Sequence, residues 1–328
     1  MNRSICGAGF VRPHVIVALL ALCAGLAQAQ TWPARQVRFI VPFPPGGSTD
    51  VAARALADKL SRALGQQVIV DNRAGGGGVI GTTEVARAAP DGHIILFAAN
   101  QVSTMHLVVK NIPYDMVRDF APITQATTQP MAIAVHTSLP VRNARELVAL
   151  AKARPGQLSY AHSGVGGGQH MTGELLKKVA KIDMVGVPYK GGGQAIVDLV
   201  SGQVPVAVLG STPLIPHHQS GRIRIIAFTS KERFLAMPDI PTLHDSGFPG
   251  FDSIQWLGLL APRGTSGDIV QRLHGETVKA LALPDVKERL AANALQAVGN
   301  TPQQFAEVIR ADIERWTQLA RDIGIKPE

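Results

Sequence analysis

Cysteine occurs only at Cys6 and Cys23, both close to the N-terminus. The rest of the chain has no thiol, no disulfide and no Cys-ligated metal. That excludes a disulfide-stapled scaffold, so stability has to come from a large core, which roughly 300 residues supply, as two domains. Aromatic residues make up only 5% of the chain, and lysine and arginine are scattered. A nucleic-acid surface would cluster basic residues and interleave aromatics, so nucleic acid is not an expected partner. Beyond the N-terminus no apolar run approaches the roughly 18 residues that span a membrane. Catalytic signatures are also missing. Ser163 follows Ala161-His162 and so sits in no G-x-S-x-G elbow, and H-E-x-x-H does not occur. Ser, His and Asp are plentiful, so a Ser/His hydrolase stays open as an alternative.

No acidic residue precedes Asp50. Arg3 and Arg12 form a basic region, Val15 to Leu26 is apolar, and Ala27-Gln28-Ala29 is an A-x-A cleavage site. Residues 1–29 therefore read as a cleaved signal peptide, and the mature chain as a secreted, periplasmic protein starting near Gln30. The leader carries two of the 32 basic residues and none of the 24 acids, which leaves 30 against 24, a net +6. A mildly positive surface suits anionic small molecules.

Glycine is what the chain has in abundance. Phe43-Pro44-Pro45-Gly46-Gly47-Ser48-Thr49-Asp50 follows the apolar run Val37–Val41 and opens a helical pattern. Strand, glycine turn, then a Ser/Thr/Asp helix start is the layout of an anion-binding helix N-terminus. Ser163-Gly164-Val165-Gly166-Gly167-Gly168-Gln169-His170 repeats this logic later in the chain. Between them, Asn72-Arg73-Ala74-Gly75-Gly76-Gly77-Gly78 formally opens a G-x-G-x-x-G match. No acid stands about 20 residues on to hold a ribose, and no lysine makes a phosphate loop, so no nucleotide cofactor is expected. Arg73 is a candidate partner for a ligand carboxylate or for a surface acid. The fourth loop is Pro188-Tyr189-Lys190-Gly191-Gly192-Gly193, where Tyr189 offers a hydroxyl and Lys190 a charge. His170 and Glu174 share a helix face, but a metal site needs a third ligand that the pattern does not supply.

Alternating apolar runs and helical patterns predict an α/β fold. Strands are expected at Val37–Val41, Val68–Val70, Ile94–Ala98 and Ala132–Val135, then Leu158–Ala161, Met184–Val187, Val206–Leu209 and Ile223–Phe228. Helices are expected at Asp50–Leu64, Val79–Ala88, Ala144–Ala153 and Gln169–Ala180, then Gln194–Ser201, Gly267–Ala282 and Pro302–Asp322. In the last of these, Thr301 and Gln304 can form a capping box, and Phe305, Ile309, Ile313 and Trp316 make one buried stripe. Thr124–Met131 and Thr229–Pro241 are the candidate passages between domains. They divide the chain into a first lobe at 30–128, a second at 129–232 and a return to the first at 233–328. Two passages would make a hinge that closes the lobes on a ligand.

The ordered set Pro42-Phe43-Pro44-Pro45-Gly46-Gly47-Ser48-Thr49-Asp50, Asn72-Arg73-x-Gly75, Pro90-Asp91-Gly92 and Pro188-Tyr189-Lys190-Gly191 carries a resemblance. Pro241-Thr242, Gly247-Phe248, Trp256-x-Gly258 and Ala261-Pro262-x-Gly264-Thr265 continue it. Across the mature chain the sequence resembles the Bug family of solute-binding proteins, extracytoplasmic receptors of tripartite tricarboxylate transporters. The resemblance implies a periplasmic-binding-protein fold, two α/β lobes joined by two crossings with the ligand cleft between them. It implies a carboxylate held by backbone amides and ordered waters, with no chemistry performed. Carried over, the first-lobe contacts are Phe43, Gly46, Gly47, Ser48, Thr49 and Asp50, with Asn100 and Gln101 tuning specificity. The second-lobe contacts are Ser163, Gly166, Gly167, Gly168 and His170, bordered by Tyr189 and Lys190. The implied partners are the large and small membrane subunits of a transporter, the receptor itself acting as a monomer; presentation of ligand to a sensor kinase is the alternative. The chain departs from the family pattern at Gly76, His93, Gly167, Gly168, Pro205 and Gly210, which bears on ligand identity more than on fold. Asp50 is awkward in an anion site; it is expected instead to cap its helix or to recognise an amino or hydroxyl group on the ligand.

Overall fold

The computed structural model describes residues 32–234 and 237–327; the signal-peptide reading of residues 1–29 lies outside them. Ten strands form one curled sheet with two halves. In the first half β1 (Val37–Val41) lies between β2 (Val68–Asn72) and β3 (Ile94–Ala99), all parallel. In the second half β5 (Ser159–His162) lies between β6 (Val185–Pro188) and β7 (Val206–Gly210), again parallel. Each half is thus a βαβαβ unit whose first strand is central. The four glycine loops leave the C-terminal ends of β1, β2, β5 and β6, the edge at which open α/β sheets bind ligands.

The halves share one strand. β4 (Phe120–His136) pairs antiparallel with β9 (Ile254–Pro262) as far as Pro130, and with β7 from Met131 onward. Thr124–Met131, expected from the sequence as a passage between domains, is the middle of this strand. Its polar alternation looks solvated, yet Thr124, Gln125, Thr127 and Gln129 are buried, and two register shifts against β9 break the period-two pattern. The return passage also differs from expectation. Leu243 and Phe251 are buried in the second-lobe core, and Phe234 and Met237 pack on its other side. The chain goes back at Ser253–Ile254, where the Ser253 N–H donates to the Thr229 carbonyl. The 233–328 boundary therefore falls about twenty residues too early: the prolines and charges of Thr229–Pro241 suggest a linker, whereas its apolar residues belong to a packed surface.

Helices cover both faces of each half. Ser48–Leu64 and Gly267–Ala282 pack on one face of the first sheet, and Val79–Ala86 with Pro302–Ile323 on the other. Ala144–Ala153 and Gly168–Ala180 cover one face of the second, and Gly192–Val200 the other. The Thr301–Gln304 capping box is present. Along the stripe of that helix, Phe305 and Ile309 pack in the first lobe, while Trp316 and Leu319 join Met171 of the second. The last helix thus spans both lobes. The strand Ile254–Pro262 and the helices Gln101–Thr104, Ile215–Gln219 and Pro284–Ala291 fall outside the expected elements. β9 is buried on both faces and so shows no alternation.

Gly258 of β9 packs against the Phe305 ring of the last helix. A Cβ there would stand 2.3 Å from the Phe305 ring and 2.9 Å from the Thr124 carbonyl oxygen. Gly258→Ala should destabilise by about 1–3 kcal/mol, the range for overpacking. Adding Phe305→Leu should recover part of the loss in denaturant unfolding; strictly additive costs would show that this contact is not the cause.

Candidate functional site

Three helices open at glycines facing the groove between the lobes. Ser48–Leu64 begins after Gly47, Gly168–Ala180 after Gly167 and Gly192–Val200 after Gly191, and none has a side-chain cap. Three helices elsewhere are capped by Asn143, Ser266 and Thr301 side chains. In the Ser48 helix the first intrahelical bond is from the Val51 N–H to the Gly47 carbonyl, which leaves the amides of Ser48, Thr49 and Asp50 without helical partners. With the helix dipole, these amides form a site of positive potential without a charged side chain.

Between these helix starts lies a cavity of about 70 Å³. The first lobe lines it with Phe43, Pro44, Gly47, Ser48, Thr49 and Gln101. The second lobe contributes Ser163, Gln169, Gly191, Gly192, Gly193 and Gly210, and the returning strand contributes Gln255. No lining residue is ionisable at neutral pH. Of the residues singled out by sequence, Phe43, Gly47, Ser48, Thr49, Gln101 and Ser163 meet at this cavity. Gln169 and Gly191–Gly193 stand in the glycine loops without an assigned contact, and Gly210 stands only among the departures from the family pattern; all reach the cavity, as does Gln255. In the Gly191 turn the side chains of Tyr189 and Lys190 display the functional groups while the glycines show none, and Gln255 has no local signal.

The other singled-out residues build the walls. Asp50 does not line the cavity: its carboxylate accepts from the Gly46 N–H at 3.0 Å and from Arg54 Nε at 3.0 and 3.1 Å. Burial alone would raise its pKa, but the bonds from Arg54, Gly46 and Asn72 outweigh burial and hold the carboxyl below the usual range. Asp50 thus clasps the first loop. Gly166 packs on Val108 and Gly167 on the Gln101 side chain, both too close to admit a Cβ without a shift, and Gly168 packs tightly on Asn100. These contacts press the third loop against the first lobe. Gln101 joins the two sides, since its Nε2 donates to the Gly77 carbonyl at 3.2 Å and its Oε1 accepts from Ser163 Oγ at 3.3 Å. Asn100 is fully buried beside Gly168, and neither end of its amide finds a partner among the described residues.

The Tyr189 hydroxyl donates to Asp198 at 2.8 Å, and Lys190 is exposed outside the cavity. Arg73 pairs with Asp71 at 3.1 Å. His170 accepts the Gly166 N–H at Nδ1 and lies against His162, with ring centroids 4.6 Å apart. Among the described residues Ser163 Oγ donates to Gln101 and His170 Nδ1 accepts from the Gly166 N–H, with no hydrogen bond joining the two. Glu174 is engaged by Tyr160 and Lys177, and among the described residues no three His, Cys, Asp or Glu side chains are placed to hold a metal.

His162 supports the third loop from beneath, within 2.9 Å of the Gly164 carbonyl. Burial, reinforced by His170, pushes its pKa down to about 3. The unfolded chain then binds a proton that the fold refuses, so this stability is complete above about pH 6.5 and is lost as pH falls toward 3. Asp312 works in the opposite sense: burial lifts it to about 6, so its contribution declines as pH rises from about 4 to 6. The difference between wild type and His162→Gln isolates the histidine. On going from pH 6.5 to 4.5 the variant should gain on wild type by about 1 kcal/mol per pH unit. A pH-independent difference in chemical unfolding would mean that His162 is not held neutral.

The profile of the Tripartite tricarboxylate transporter family receptor matches residues 52–325. Protein BugT of Bordetella pertussis (strain Tohama I) is 36% identical over 318 residues, 95% of this chain and 97% of its own. Among solved structures, R. palustris Rpa4515 with adipate superposes with a TM-score of 0.88 at 33% identity, covering 90% of this chain and 100% of that one. MatC from Rhodopseudomonas palustris with bound malate gives 0.83 at 31%, covering 88% and 100%. The shared βαβαβ halves, the glycine loops at their strand ends and the match along nearly the whole chain lead to one assignment: this protein belongs to the tripartite tricarboxylate transporter receptor family of extracytoplasmic solute-binding proteins.

Proposed function

We propose that this receptor captures a small organic carboxylate in the cavity between its lobes and delivers it to the large and small membrane subunits of a tripartite tricarboxylate-type transporter. One observation carries the reading. Helix starts at Ser48 and Gly192, left without side-chain caps, open into a cavity that has no ionisable side chain. Such a site favours an anion by amides and dipoles alone. Gln101, Ser163 and Gln169 add neutral polar groups, and the unpartnered Asn100 amide beside the Gly168 helix suits a bridging water or a ligand oxygen. Gly46, Asp50, Gly166, Gly167, Gly168 and His170 act as the support of this cradle, and Tyr189 and Lys190 as its border. A cavity of about 70 Å³ suits a small organic acid. That similar proteins are seen with adipate and malate agrees with this class. The 1–29 leader would place the receptor in the periplasm as a monomer that closes its lobes on ligand; among the described residues no helix is long and apolar enough to cross a membrane.

The direct test is a thermal-shift screen of residues 30–328, freed of co-purified ligand, against mono-, di- and tricarboxylates and aromatic acids. At 100 times the dissociation constant a ligand stabilises by about 2.7 kcal/mol, or roughly a few degrees for a chain of this size. A shift with one class of short acid is expected. Silence across the panel would overturn the carboxylate assignment.

The amide cradle has its own test. Ser48 is the first helical residue and follows an extended Gly47, where proline is well tolerated. Ser48→Pro removes one N–H and one hydroxyl while keeping the helix. It should weaken binding by about tenfold or more, as expected for losing charge-assisted hydrogen bonds. Lys190→Ala should change affinity by less than about threefold, as surface charges do. The reverse ranking in calorimetric titrations would mean that side-chain charge dominates.

A further inference from the structure

Gln129 is fully buried one residue before Pro130, the point where β4 passes from one sheet to the other. It does not line the cavity, yet its side chain ties together groups that do. Its Oε1 accepts from Ser48 Oγ at 3.2 Å and from Thr212 Oγ1 at 2.7 Å, and its Nε2 donates to Gln255 Oε1. Ser48 and Gln255 face the cavity, whereas Thr212 is outside it and also within bonding distance of the Asn293 carbonyl. Gly210 makes room for this cluster. A Cβ there would stand 2.8 Å from Gln129 Nε2, 3.1 Å from Gln255 Oε1 and 3.2 Å from Ser48 Oγ.

Each hydroxyl has one proton to give. Ser48 cannot donate to Gln129 and to a ligand at once, and Thr212 cannot donate to Gln129 and to Asn293 at once. A carboxylate only accepts, so binding at the Ser48 helix start would draw the Ser48 proton toward it. Gln129 Oε1, buried and away from water, would then hold the Thr212 proton, and the Asn293 carbonyl would lose its share. Asn293 adjoins Ala294, which is buried in a second-lobe cluster, and lies just before β10 (Gln296–Ala297), which pairs with β4 at Thr127–Thr128. We propose that Gln129 is a positioning residue that senses an acceptor-only ligand through Ser48 and passes its presence, by way of Thr212, to the Asn293–Ala297 segment on the far side of the crossing strand. The proposal rests on the carboxylate-receptor reading only for the nature of the ligand.

Two measurements on the mature chain test it. The first uses no ligand. Ser48→Ala or Thr212→Val alone leaves Gln129 Oε1 one donor, and both together leave it none. The double variant should therefore raise the unfolding constant about tenfold beyond the product of the single effects, as expected for an orphaned buried acceptor. In a Gln129→Met background this excess should vanish; if that background fails to fold, the excess in the wild-type background decides. Multiplicative effects there would overturn the proposal. The second adds malate or, where the panel favours it, another short acid at saturation. Amide exchange in 293–297 should change in wild type and be unchanged in Thr212→Val, although that variant still binds. A change that persists in Thr212→Val would overturn the relay. An intact hydroxyl coupling with no acid bound would instead reject the ligand reading and keep Gln129 as a link between Ser48 and Thr212.

Discussion

The site depends on backbone amides that the protein leaves unspent. A helix start exposes N–H groups that must find partners, and most helices meet that need with a side-chain oxygen. Here the helices at Asn143, Ser266 and Thr301 do so; those at Ser48, Gly168 and Gly192, which follow glycines at the groove, are among the described helices that do not. Glycine serves two ends at these positions: it offers no cap, and it lets the opposite lobe approach to backbone distance. Gly167 against Gln101 and Gly168 against Asn100 show the second. The neutral lining follows from the same choice. A lysine or arginine in the cavity would bind anions with less dependence on shape, whereas fixed amides demand acceptor atoms in fixed places.

Support for these loops comes from charges and rings placed behind them. Asp50 folds back on Gly46 and Arg54, and His162 and His170 hold the third loop from below. Both devices use ionisable groups, but neither presents its charge to the cavity. The histidine pair stays neutral because burial makes protonation expensive, and Asp50 stays ionised because three donors surround it.

Much of the fold was legible because local patterns agreed with packing. Val37–Val41, Ile223–Phe228, Ala144–Ala153 and Gly267–Ala282 coincide with their elements to the residue. The loops after β1 and β5 announced themselves by glycine and by the helix patterns behind them. What escaped was set by distant partners. Thr124–Met131 reads as polar connection because its threonines and glutamines are satisfied or covered by residues far along the chain, Gln255 and Asn300 among them. Gly210 and Gln255 reach the cavity only through pairings across β4, which no local spacing encodes. Tyr189 and Lys190 display functional groups in the sequence, whereas the adjoining Gly191–Gly193 backbone forms the wall. A sequence displays side-chain chemistry more openly than it displays free amides.

The strand shared by the two sheets has a consequence for how the molecule comes apart. β4 is flanked by β9 through its first part, with β10 on its other side at Thr127–Thr128, and by β7 and the strand β8 (Ile223–Phe228) through its last, so it is built into the sheet of both lobes. Neither lobe can shed its half of β4 without pulling on the other, and the Pro302–Ile323 helix adds a second tie through Trp316 and Met171. Two lobes with separate cores would ordinarily melt in sequence. Here the chain should behave as a single cooperative unit, with one calorimetric transition and with no free lobe left for proteases to trim.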